Sequence, residues 1–223
     1  MRRILALVAL VLAVNIGNAQ ASVITFEDLA LDTAGVGGDR TSGGFFFDTA
    51  WNHSHIDNGT WGTSNGSKFM LIDNVATPLV GNNNTTTFSP TSGSPFTLTS
   101  MDISEAGGLT SVSTSARQIQ VTGNLFGGGT VSTLLFLDLN FIDGVTANYF
   151  QTFTFDPTWT NLSSVSLDGI GGQCCGPSPG NYYGIDNIVV NGAAAPVPDE
   201  PGTLGLMGLA SAYLFRLRRR NRG

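Results

Sequence analysis

Positive charge is scarce in the body of this chain. Seven of the ten Lys and Arg residues sit at the two ends, which leaves only Arg40, Lys68 and Arg117 between them. Fourteen acids lie between Glu27 and Asp186, so the body carries a net charge near −11, against −6 for the whole chain. With no basic stripe to track phosphates, and with an acidic surface that repels polyanions, the composition excludes nucleic acid as a partner. Cysteine is as scarce: Cys174 and Cys175 are adjacent and are the only two. The absence of Cys-x-x-Cys argues against a redox enzyme. In an oxidising compartment the pair has no third cysteine to bridge. A vicinal disulfide, an intermolecular bridge and free thiols are the options, and Gly171, Gly172, Gly176 and Pro177 around the pair suit a loop. No G-x-S-x-G elbow, H-E-x-x-H pair or phosphate loop is present. Asp102 and Glu105 are an acid pair of the type a glycosidase uses, but their spacing gives no support, and solvated turn acids are the plainer reading. Helix formers are few, and no amphipathic helix is visible between Ser22 and Gly192.

What is present begins at the ends. Met1-Arg2-Arg3 is a short cationic start, and Ile4 to Val14 is an unbroken apolar run. Ala19-Gln20-Ala21 then supplies the small-residue exit that a signal peptidase reads. Residues 1–21 are therefore expected to be a secretory signal peptide, cleaved before Ser22. At the other end, residues 193–203 form an Ala/Pro-rich linker, and Leu204 to Phe215 is an apolar run closed by Arg216, Arg218, Arg219, Arg220 and Arg222. Twelve residues rise about 18 Å as a helix, short of the roughly 30 Å hydrocarbon core. Arginine stems can extend such a segment, and the basic cluster should stay cytoplasmic. Residues 204–223 thus read as a short, temporary membrane anchor with an Arg-rich tail.

The linker, short apolar helix and Arg cluster together resemble the PEP-CTERM sorting signal of Gram-negative bacteria. The resemblance rests on Val197, Pro198, Glu200 and Pro201, followed by Gly202-Thr203-Leu204; Asp199 is inserted between Pro198 and Glu200, a departure from the motif's spacing. It implies that the chain is exported through the inner membrane, held there by its C-terminal helix, and processed by an exosortase. The destination it implies is the cell surface or an extracellular matrix, in association with exopolysaccharide and biofilm.

The body, residues 22–192, is rich in Gly, Ser, Thr and Asn and in β-branched residues. Alternating apolar and polar residues mark strands at Phe96 to Ile103, Gln118 to Thr122, Tyr149 to Phe155 and Leu162 to Leu167. In the first of these, the change of phase between Leu98 and Met101 suggests a bulge or register change. Further strands are expected at Val23 to Phe26, Phe45 to Phe47, Lys68 to Ile72, Thr85 to Phe88 and Tyr183 to Val190. Thr130 to Asp138 is more continuously apolar and reads as a central strand. Nine or ten short strands separated by Gly, Asn, Pro and Ser imply an all-β, antiparallel β-sandwich, with a jelly roll as the preferred topology.

Ile24-Thr25-Phe26-Glu27-Asp28, Phe150 to Phe155 and Tyr183 to Val190 resemble the ectodomains found ahead of PEP-CTERM tails. The opening Phe-Glu and closing Asp-Asn-Ile are also similar to those of carbohydrate-binding-module and lectin-like jelly rolls. That resemblance implies neighbouring first and last strands, with a structural calcium ion where they meet. Glu27, Asp28 and Asp186 are the candidate ligands, since calcium takes oxygen donors. Asp186 capping a turn or edge is the alternative.

Two further groups invite a ligand. His53 and His55 share a face if their segment is a strand, with Asp57 beside them, and Trp51 and Trp61 flank them. They read as a metal site or a sugar platform, or else as an exposed polar loop with incidental histidines. With Tyr182, the indoles are the aromatic candidates for glycan contact. The function expected is that of a non-catalytic surface or matrix protein associated with exopolysaccharide. A secreted glycan-active hydrolase or lyase is the alternative.

Overall fold

The computed structural model describes residues 21–32, 38–49, 53–59, 63–73, 85–106, 115–138, 150–171 and 181–192. Residues 1–20 of the expected signal peptide and the whole C-terminal apolar helix lie outside these residues, as do Trp51, Trp61, Cys174, Cys175 and the sorting motif. Among the described residues no helix is long and apolar enough to cross a membrane.

Among the described residues twelve strands run in chain order: β1 Ala21–Ile24, β2 Arg40–Ser42, β3 Phe45–Asp48, β4 His53–Asp57, β5 Phe69–Asp73, β6 Thr85–Pro90, β7 Thr97–Glu105, β8 Gln118–Leu125, β9 Thr130–Phe136, β10 Gln151–Thr154, β11 Leu162–Ile170 and β12 Tyr183–Asn191. They form two six-stranded antiparallel sheets. Sheet A has the order β10-β7-β12-β5-β4, and sheet B the order β2-β3-β6-β11-β8-β9. In sheet A, β12 holds β7 along one edge, while its other edge is shared end to end by β5, at Tyr183 to Ile185, and β1, at Ile188 to Asn191. First and last strands are thus neighbours. From β5 onward the chain changes sheets at every connection except the β8–β9 hairpin, the weave of a jelly-roll-like sandwich.

The period-2 pattern places one side of every strand in a shared core. Phe45 and Phe47 are buried and Phe46 between them is exposed; Ile119, Val121, Val165 and Leu167 point inward in the same way. At one end of the core Phe47 stacks on Phe88 (5.5 Å between centroids, 28° between planes), while Phe26, Phe45 and Phe96 approach edge-on or tilted. Such pairs add to what burial alone contributes. At the other end Tyr183 crosses from sheet A, and its hydroxyl donates to the Leu167 carbonyl of sheet B at 3.2 Å. A buried phenol needs that partner; burial pushes its pKa well above the ordinary value, so it stays a donor.

The change of phase in β7 is a real irregularity: the β7–β12 register shifts between Asp186 and Val189 and again between Val189 and Val190. Each strand carries one extra residue, so the register recovers beyond the pair of bulges. Asn187, on the β12 bulge, adopts φ 46°. One expectation is corrected. Thr130 to Phe136 is an edge strand of sheet B, not a central one. Its run of apolar residues does not reflect burial on both faces, because Leu134 and Phe136 point outward and are 37% and 63% exposed. Two strands, β2 and β4, lie outside the alternating runs of the sequence. They are short and polar, and follow from pairing with β3 and β5.

Candidate functional site: the outer face of sheet B

Strand parity turns every second side chain of sheet B away from the core. On the middle strands these are almost all polar: Gln118, Gln120, Thr122 and Asn124 from β8, with Ser164, Ser166 and Asp168 from β11. Several are knitted together. Asn124 Nδ2 donates to Ser164 Oγ at 2.9 Å, and Thr87 and Ser166 share a hydroxyl–hydroxyl bond at 2.9 Å. Gln120 Nε2 reaches the Thr133 carbonyl at 3.0 Å. The result is a surface of hydroxyls and amides, several of them tied to one another or to the backbone.

One corner differs. Asp168, Gln120 and Leu134 lie side by side across β11, β8 and β9, and Ile170, Gln118 and Phe136 form the next row. Ile170, Leu134 and Phe136 are exposed apolar groups. Asp168 is half-buried and has no hydrogen-bond partner among the described residues, and burial alone raises its pKa. A carboxylate kept from water without a partner is costly, unless something else supplies donors.

The outer face of sheet A carries a second polar knot. Asp102 and Asp186 are cross-strand partners. Asp102 accepts from Thr152 Oγ1 at 2.6 Å and from Asn187 Nδ2 at 2.8 Å. Asp186 is fully buried and accepts from Asn65 Nδ2 at 2.6 Å and Ser67 Oγ at 2.8 Å. Burial raises the Asp186 pKa, hydrogen bonds from Asn65, Ser67 and the Asn187 backbone oppose the rise, and the charge of Asp102 adds to it. An acid with a raised native pKa binds its proton more tightly folded than unfolded. Its contribution to stability is therefore fully present below the ordinary value of 3.8 and declines as pH rises through the raised native value. Asp186→Asn keeps an acceptor for Asn65 and Ser67 without the charge. Relative to wild type, the variant should gain stability between acidic and neutral pH, read from urea midpoints across that range; a constant difference would contradict the assignment.

The sequence-derived candidates take separate places. Asp28 accepts from Ser42 Oγ at 2.6 Å and the Gly43 amide at 3.2 Å, closing the turn between β2 and β3. Glu27 accepts from the Lys68 amide at 2.8 Å, and the Lys68 ammonium donates to the carbonyls of Glu27 at 3.0 Å and Leu29 at 2.8 Å. Glu27 and Asp186 therefore both bind the turn of residues 65–68, and the cation seen tying Glu27 to it is an ammonium. Among the described residues no group of three or more His, Cys, Asp or Glu side chains is placed to hold a metal ion. His53 is on β4, paired with Asp73. His55 is buried, not part of an exposed loop, with Nδ1 3.2 Å from the Asp32 carbonyl. Asp57 is also buried and accepts from the Asn58 amide at 2.7 Å. Tyr182 is partly buried against Phe69, Leu71 and Ala106, not presented on an open platform. Asp102 and Glu105 both lie within β7, not in a turn, and three positions apart on a strand they face opposite sides. They form no acid pair.

No family model matches this chain, and no curated protein matches it. Among solved structures it is similar to the F5/8 type C domain of a Bacteroides fragilis protein, at 14% identity and TM-score 0.37, over 64% of this chain and 93% of that one. It is also similar to a Clostridium thermocellum structure, the CBM22-1 and GH10 modules of endo-1,4-β-D-xylanase 10B complexed with xylohexaose. There the identity is 10% and the TM-score 0.39, over 82% of this chain and 30% of that one. Neither assigns a ligand to this chain.

Proposed function

We propose that this protein is an exported, non-catalytic β-sandwich that binds polysaccharide through the outer face of sheet B. The observation that carries the proposal is the corner of that face, where a carboxylate with no partner among the described residues, two amides and three exposed apolar side chains lie on adjacent strands. A sugar ring presents hydroxyls at its rim and C–H groups on its faces, and this surface offers a counterpart to each. A sheet face holds such groups rigidly, so little conformational freedom is lost on binding. The export half of the proposal rests on the signal-like start and the sorting-like tail, and places the protein at the cell surface or in an exopolysaccharide matrix after exosortase processing.

The test is retention of the purified full chain on the extracellular polysaccharide of the cells that make it. Retention that is competed by free polymer is expected; failure to bind that matrix or any polymer in a broad glycan array would sink the reading. Export is tested separately by replacing Glu200-Pro201 and following release from the membrane fraction, which should stop.

A further inference from the structure

On the reading that sheet B binds glycan, we infer that the polymer is free of acidic groups at the contact and that it donates hydroxyl or ammonium hydrogens to Asp168 while a ring packs on Phe136. The argument begins with charge. Asp168 has no donor among the described residues, and Asp138, exposed two residues beyond Phe136, is a second carboxylate at the border of this corner. Of the three described cations, Arg40 pairs with Asp32 and Lys68 binds Glu27. Arg117 borders the corner, with its amide on the Ile170 carbonyl at 2.9 Å, but its stem packs at Gly171, one position out of phase with Gln118 and Ile170 and so toward the other side of the sheet. A uronate or sulfate laid on the corner would meet like charge, with the nearest described cation, Arg117, packed toward the other side of the sheet. Hydroxyls or an ammonium meet an acceptor whose hydrogen bonds, being charge-assisted, are stronger than neutral ones.

Spacing then fits the shape. Neighbouring strands are about 4.8 Å apart and alternate residues on one strand about 6.7 Å apart. Asp168 and Phe136, two strands and one row apart, are therefore separated by roughly 12 Å, about the span of two linked sugar rings. Gln118 and Gln120 lie between them: Gln118 offers a donor and an acceptor for the intervening hydroxyls, and Gln120, whose Nε2 bonds the Val121 and Thr133 carbonyls, offers its Oε1 acceptor. Phe136, at 63% exposure, is a large apolar face left in water on an edge strand, and Leu134 and Ile170 extend it. The surface thus runs from acceptor to amides to apolar ground in the order in which a short stretch of acid-free glycan would use them.

The experiment is a pull-down of the full chain on beads carrying a neutral β-glucan, partly deacetylated chitosan or alginate, with Asp168→Asn and Phe136→Ala beside the wild type. The wild type should be retained on glucan, on chitosan or on both, and not on alginate. Each variant should bind at least about tenfold more weakly, the scale of one charge-assisted hydrogen bond or one stacked ring. Loss of glucan binding in Asp168→Asn identifies hydroxyl donors; retention on chitosan alone identifies the ammonium. Asp168→Asn removes a half-buried charge at constant size, and an unchanged melting curve shows that the fold is kept. Retention on alginate as strong as on the other beads overturns the inference. So does unchanged binding of both variants to a polymer that retains the wild type, although polysaccharide binding would then stand and its site would lie elsewhere. No retention on any of the three beads also overturns it, while retention on the producing cells' own matrix would leave the broader reading intact.

Discussion

Phe88→Ala should cost about 3–5 kcal/mol, the usual range for truncating a buried phenylalanine. Phe88 is wholly buried on β6 and is the hub of the aromatic end of the core, with ring centroids 5.5 Å from Phe47, 6.1 Å from Phe45 and 6.0 Å from Phe96. Those neighbours belong to β3 and to the segment entering β7, and cannot all close on the cavity without moving both sheets. Domains of this size are stabilised by about 5–15 kcal/mol in total, so the variant should be marginal. Its thermal midpoint should fall by roughly 10–15 °C. Phe46→Ala is the matched control: it stands between Phe45 and Phe47 but points outward, at 38% exposure. A change within about 0.5 kcal/mol is expected there. Equal losses in the two variants would mean that the alternation in β3 is not as described.

That contrast also explains what the sequence disclosed. Burial of one face writes itself into the order of residues, so the alternating strands β7, β8, β10 and β11 were legible, and so was the irregularity in β7. The antiparallel sandwich followed from them. Strands held by a neighbour and not by their own pattern were harder to see: β2 is Arg40-Thr41-Ser42, and β4 holds two histidines and two other polar residues. In β9 apolar content misled, because an exposed Phe136 looks the same in sequence as a buried one. The site was hidden for a related reason. Asp168 is an acid among serines on β11 and Gln118 is an ordinary polar strand residue; only the register of three strands brings them beside Phe136. The trace available in sequence was a negative one, an outward side made of glutamine, threonine and serine with no lysine or arginine to solvate it. The histidines drew attention for their chemistry, but residues 53–57 form a strand that buries His55 and Asp57.

Gly169→Ala should damage both halves of the molecule at once. Gly169 lies on β11 between Asp168 and Ile170, with its hydrogen where a side chain would enter the core. A Cβ there would stand 2.7 Å from the Asn181 carbonyl oxygen, 3.1 Å from Asn181 Cβ and 3.1 Å from a Tyr183 ring carbon. The nearest of these is backbone, and Tyr183 is fixed by its bond to Leu167, so the strand itself must move outward. Overpacking of this kind costs about 1–3 kcal/mol, and a clash with backbone belongs at the upper end. The outward shift carries Asp168 and Ile170 with it. Polysaccharide affinity should therefore fall by about tenfold even in the fraction that remains folded, since misplacing a charge-assisted partner removes most of its contribution. Gly127→Ala, in the β8–β9 turn, is the comparison: nothing lies within 4 Å of its Cβ position. It should melt and bind as wild type does. A Gly169→Ala protein that melts early yet binds normally would separate the core from the sheet B face, and would show that the ligand does not depend on the position of β11.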